Sequence, residues 1–137
     1  MRDKKPILLV EDDRIDAMTV RRAFKEIKVD NELIVASNGE EALKVLQDED
    51  QQKPCIIISD LNMPKMNGIE LLTVLKKDET LRKIPVVVLT TSHEVHDRFH
   101  CFNLSAAGYL IKPMDYVQFV EVIRTLDLYW TLSELPE

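Results

Sequence analysis

The chain has 137 residues, 45% of them hydrophobic and 31% charged, enough to bury a core as one domain and too apolar for a disordered one. A net charge of −6 disfavours nucleic-acid binding through phosphate contacts, and no apolar stretch is long enough to span a bilayer. The first apolar run after Met1-Arg2-Asp3-Lys4-Lys5 is only five residues, too short for a signal peptide, so no membrane attachment and a cytoplasmic location are expected.

Residues 6–10 (Ile7, Leu8, Leu9 and Val10 after Pro6) form a continuous apolar run, as expected of a strand covered on both faces. It ends in Glu11-Asp12-Asp13. Over residues 14–27 the apolar side chains Ile15, Met18, Val20, Ala23, Phe24 and Ile27 recur at mostly helical spacing, with Asp13 placed to cap that helix. A second short strand covers 32–36. Ser37-Asn38-Gly39 turns the chain into a helix over 40–46, and polar residues 47–53 form a loop.

Cys55 to Ile58 is the next buried strand, ending at Ser59-Asp60. Pro64 and Gly68 then break the pattern and make a loop that exposes Asp60. A helix follows over 67–77, with Ile69, Leu71, Leu72 and Leu75 on its apolar side. The strand at 86–89 ends in Thr90-Thr91-Ser92, and a weaker helix spans 94–103. Residues 108–111 form a fifth strand, ended by Lys112-Pro113. The last helix runs from 116 to about 130 with Phe119, Val120, Ile123 and Leu126 inward. Cys55 and Cys101 stand far apart with no CxxC pair and read as reduced, buried or half-buried thiols.

Strict alternation of apolar strands and helices implies an α/β, doubly wound five-stranded parallel sheet with helices on both faces. The functional site of such a sheet lies beyond the carboxyl ends of its strands. Here those ends are Glu11 and Asp12, Asp60, Thr90 and Lys112. Three carboxylates brought together repel one another, which would raise a pKa or demand a cation. Oxygen ligands without paired His or Cys favour Mg2+, and a hydroxyl and an ammonium opposite it suit a tetrahedral anion. The set reads as a carboxylate nucleophile that accepts a phosphoryl group.

Four stretches carry a resemblance over nearly the whole chain: Ile7 to Asp13, Ser59 to Pro64 with Gly68, Val88 to Thr91, and Gly108 to Pro113. The sequence resembles the receiver domain of bacterial two-component response regulators. The resemblance implies a flavodoxin-like (βα)5 fold with strand order 2-1-3-4-5, and a receiver domain over residues 1–127. It implies Asp60 as phosphoacceptor and Asp12 as the main metal carboxylate. Glu11 would assist through a metal-bound water, and the backbone carbonyl of Asn62 would be a further ligand, with Mn2+ able to replace Mg2+. Thr90 and Lys112 would contact the phosphoryl oxygens, and Thr90 and Tyr109 would form the switch pair. Asn62 and Ser92 occupy positions that tune acyl-phosphate lifetime. Ser92 has no carboxylate or amide to orient water, so slow self-dephosphorylation is expected. Lys112-Pro113 matches a peptide bond that is usually cis in the family.

Residues 128–137 form an extension of the last helix and a tail. Tyr129, Trp130, Leu132 and Leu135 present more apolar surface than one helix of a small domain hides. Packing on the domain itself is one reading, and a homodimer or kinase-docking patch is the other. The ending resembles stand-alone receivers paired with phytochrome-type histidine kinases. Those often dimerise, which favours the homodimer. His93, His96 and His100, at i, i+3 and i+7, fall on one helical face and read as solvated, with transition-metal binding or pH sensing near neutrality as the alternative.

These features describe a single-domain response regulator rather than an enzyme with external turnover, or else a phosphorelay intermediate passing phosphate to a histidine phosphotransfer protein. A phosphatase with an aspartyl nucleophile would need an acid where Asn62 stands. A flavin or nucleotide module would need glycines or hydroxyls where Glu11-Asp12-Asp13 stands.

Overall fold

The structure is a computed structural model that describes residues 5–132, with side chains described to residue 130. Five strands alternate with helices: β1 (Ile7–Val10), α1 (Arg14–Glu26), β2 (Leu33–Ala36), α2 (Gly39–Gln47), β3 (Ile56–Ser59), α3 (Gly68–Lys77), β4 (Val86–Thr90), α4 (Val95–Asn103), β5 (Gly108–Ile111) and α5 (Tyr116–Leu132). A short 3-10 turn at Leu81–Lys83, not expected from the sequence, precedes β4. The strands are all parallel, in the expected order 2-1-3-4-5. No helix among the described residues is long and apolar enough to cross a membrane.

Alternation along each strand divides the core in two. Leu8, Val10, Ile57, Val86 and Val88 face α2, α3 and α4, whereas Ile7, Leu9, Ile56, Ile58, Val87 and Leu89 face α1 and α5. Both faces of the central strands are therefore dry, which is why those strands read as unbroken apolar runs. Cys55 and Cys101 are buried free thiols, and burial, with the nearby Asp97 charge, pushes Cys101 up to about 11.

Local capping sets the helix starts. Asp13 accepts hydrogen bonds from the Ile15 and Asp16 amides at 2.8 and 3.1 Å. Asn38 caps α2 through the Glu41 amide, and Asn67 with Glu70 forms a capping box on α3. Asp115 accepts from the Val117 amide at 2.8 Å at the start of α5.

Several side chains lie elsewhere than the sequence suggests. Ile15 and Met18 are 74% and 66% exposed. They sit about 200° around α1 from Ala17 and Val20 respectively, and those two lie on the line, continued by Phe24 and Ile27, that meets the sheet. Trp130 is only 2% exposed and packs with Phe119, Ile123 and Leu126 on the α1–α5 side. It continues the i, i+3, i+4 strip of α5 inward, so it is a core residue rather than part of a contact surface. Tyr129, one position round the helix, is 71% exposed. The side chain of Leu132 and all of Leu135 lie outside the described residues. Helix α5 runs unbroken past residue 127, so the extension begins as its final turns. The Lys112–Pro113 bond is trans, not cis, the isomer that X–Pro bonds ordinarily favour by about 0.5–1 kcal/mol.

Candidate phosphoacceptor site

Register brings the strand ends to one edge. Val10 pairs with Ser59, Ser59 with Val88, and Thr90 with Ile111. Backbone bonds carry the alignment one residue further. The Asp60 amide donates to the Val10 carbonyl at 3.0 Å, the Glu11 amide to Ala36 at 2.9 Å, and the Lys112 amide to Thr90 at 2.8 Å. Each polar residue emerges where its strand stops.

Carboxylate oxygens of Glu11, Asp12 and Asp60 lie within 4.8 Å of one another. Glu11 and Asp60 are buried and Asp12 is exposed, so the cluster opens outward through Asp12. Asp13 turns away to cap α1, which leaves Glu11 and Asp12 for the site. An all-oxygen set of this kind fits a hard divalent cation such as Mg2+ or Mn2+. Asn62 follows in the exposed loop after Leu61.

The buried ammonium of Lys112 lies among these groups. It donates to Glu11 Oε1 at 2.5 Å, to Asp16 Oδ2 at 2.8 Å and to Asp60 Oδ2 at 3.1 Å. Burial opposes its charge, but the bonds it donates to Asp16 and Glu11 and the charges of Glu11 and Asp60 outweigh it and raise its pKa. Burial pushes Glu11 up to about 7, against the lowering effect of Lys112. The cluster's carboxylates outnumber the one ammonium among them. The other oxygen of Asp60, Oδ1, accepts from the Leu61 amide at 2.7 Å. That bond fixes the carboxylate plane.

Thr90 is fully buried at the end of β4, and its hydroxyl accepts from the Ser92 amide at 3.3 Å. The Tyr109 hydroxyl donates to the Ser92 carbonyl at 3.0 Å, while the Ser92 hydroxyl donates to Asp97 at 2.7 Å. Ser92 therefore joins the threonine, the tyrosine and the first turn of α4. Because that loop holds the chain open to Glu94, α4 begins at Val95 and His93 falls outside the helix. His96 and His100 face each other with ring centroids 6.1 Å apart. Among the described residues the three histidines form no metal-holding group.

Sequence reasoning missed Asp16. It stands in the first turn of α1, four positions after Asp12. An acid in the first turn of a helix is ordinary and carries no mark of a site. Sequence reasoning placed Gly39 in a turn without its contact to Met66: a Cβ there would fall 2.6 Å from the Met66 side chain, and the Gly39 amide donates to the Met66 carbonyl at 2.9 Å.

The family model described as the response regulator receiver domain matches residues 7–124. The chain is 36% identical over 130 residues to response regulator Rcp1 of Synechocystis sp., covering 92% of this chain and 88% of that protein. The Mn2+-bound form of Rcp1 superposes with a TM-score of 0.89, over 97% of this chain and 99% of that one. The phosphorylated cyanobacterial phytochrome response regulator RcpA is 34% identical, with a TM-score of 0.92 over 98% of this chain and all of that one. The bacteriophytochrome response regulator AtBRR is 34% identical, with a TM-score of 0.76 over 99% of this chain and all of that one. With its flavodoxin-like strand order and carboxylates at the strand ends, the chain belongs to the receiver-domain family of two-component response regulators.

Proposed function

We propose that this protein is a single-domain response regulator that takes a phosphoryl group from a histidine kinase onto Asp60 and signals by a change of surface. The observation that carries the reading is the Lys112 ammonium bridging Glu11 and Asp60 beside Asp12. It is a cation-demanding carboxylate cluster with one carboxylate held as nucleophile. A carboxylate oxygen of Asp60 attacks phosphorus, the O–P bond forms, and the P–N bond of the phosphohistidine breaks as the imidazole leaves. Lys112 neutralises phosphoryl oxygens, and Thr90 supplies a hydroxyl donor. Asp12, Asp60, the Asn62 carbonyl and, through water, Glu11 would hold a divalent cation, whose charge would neutralise the transferring group.

Phosphorylated RcpA supports the acceptor role, and Mn2+-bound Rcp1 supports a divalent cation, Mg2+ being the expected cellular one. RcpA and AtBRR being phytochrome regulators supports a phytochrome-type histidine kinase as donor. Exposed Leu128 and Tyr129 at the end of α5 support a homodimer contact there. The direct test is incubation with a small phosphodonor and Mg2+, followed by intact mass. The wild-type chain gains one phosphoryl group and Asp60→Asn gains none. Equal gain by the variant would refute the assignment.

A further inference from the structure

The ammonium of Lys112 has three donors, and each is used by a different carboxylate. Two of the acceptors, Glu11 and Asp60, belong to the cluster whose oxygens converge on the cation position, and Asp16 does not. A cation held by the cluster and a phosphoryl group on Asp60 would draw on two of the lysine's three partners, and Asp16 lies outside that set.

The backbone of Asp16 is fixed, because its amide donates to the capping carboxylate of Asp13 at 3.1 Å. Its side chain is 36% exposed while that of Lys112 is 5% exposed, so the contact holds a buried ammonium from the rim. The two residues are 96 positions apart, and their bond ties the first turn of α1 to the end of β5. Lysine has a long, flexible stem and a point charge, and needs such a tether to keep its aim.

We propose that Asp16 is a positioning residue for phosphoryl transfer, holding Lys112 over Asp60 while Glu11 and Asp60 are engaged elsewhere. This rests on the reading of Asp60 as phosphoacceptor. Loss of one partner of a buried ammonium also costs stability, so rate and stability are read side by side.

The test measures phosphorylation of the full chain by phosphoramidate, with donor and Mg2+ varied independently and melting curves alongside. Removing one charge-assisted bond at a partly exposed position predicts that Asp16→Ala lowers the maximal rate about tenfold. The half-saturating Mg2+ should change far less, and Asp16→Asn, which keeps the acceptor oxygen, should recover part of the rate. In a Lys112→Ala background, Asp16→Ala should cost nothing further. An unchanged or faster rate in Asp16→Ala overturns the proposal. So does a cost that survives without the lysine, or a loss confined to Mg2+ affinity. If Asp16→Ala melts much lower, the comparison rests on Asp16→Asn. A wild-type chain that takes no phosphoryl group, or an Asp60→Asn chain that takes it equally, sinks the site assignment itself and this proposal with it. The other outcomes sink the proposal alone.

Discussion

Gly68 lies directly against Asp60: a Cβ on Gly68 would collide with the Asp60 carbonyl oxygen and lie 2.9 Å from the Leu61 Cα. The Gly68 amide also donates to the Leu61 carbonyl at 3.0 Å, so the start of α3 is stitched to the loop that follows Asp60. Backbone has little room to give. Gly68→Ala should therefore destabilise the protein by about 1–3 kcal/mol through overpacking. It should also slow phosphorylation of Asp60 by displacing the loop. Urea denaturation measures the first and intact mass over time the second. A variant as stable and as fast as wild type would show that the loop tolerates the shift.

Tyr109 is tied to Ser92, and Ser92 to Thr90 and Asp97. Removing the phenol oxygen in Tyr109→Phe should cost only about 0.5–1.5 kcal/mol. Its local effect should be larger than its global one, because the loop after β4 loses the bond that joins it to β5. Hydrogen exchange of amides 91–94 is expected to accelerate, with β1 and β3 unchanged. No acceleration there would mean that Asp97 alone holds the loop.

Lys65 has a φ of 63°, in the left-handed region, within the loop between β3 and α3. An L-residue pays about 1–2 kcal/mol for that conformation, and glycine gives back part of the gain through unfolded-chain entropy. Lys65→Gly should thus stabilise the protein by roughly 0.5–1 kcal/mol, while the β-branched Lys65→Val should destabilise it. Opposite signs in paired thermal melts are the expected result. A destabilised glycine variant would show that the lysine side chain contributes more than the backbone costs.

The acidic cluster predicts a metal-dependent melting temperature. At a cation concentration one hundred times its Kd, binding to the native state stabilises by about 2.7 kcal/mol, on the order of 10 °C for a chain of this size. Mg2+ and Mn2+ should both raise Tm, EDTA should abolish the shift, and Asp12→Asn should remove most of it. In EDTA the order reverses. Asp12→Asn then melts above wild type, because one of the mutually repelling carboxylates is gone. An equal Mg2+ shift in wild type and variant would place the cation elsewhere.

The sheet was readable because buried parallel strands leave unbroken apolar runs, and Ile7 to Val10 and Val86 to Leu89 stand out as such. The edge was readable because Asp60, Thr90 and Lys112 each follow such a run directly. Side-chain direction on helices was harder. Ile15 and Met18 satisfy helical spacing with each other, yet only the line through Ala17 and Val20 meets the sheet. Trp130 looked like surplus surface because composition does not reveal that α5 keeps its inward strip to that turn. Asp16 was hidden for a different reason. Its bond is to a residue 96 positions away, and nothing local marks it.

The most direct measurement is to locate the phosphoryl group by borohydride trapping. The protein is phosphorylated with phosphoramidate and Mg2+, reduced to convert the acyl phosphate to an alcohol, digested and sequenced by mass spectrometry. The account predicts conversion of Asp60 to homoserine, dependent on the metal and absent without the donor. Reduction at Asp12 or Glu11, or a phosphoryl adduct on a histidine with Asp60 intact, would contradict it.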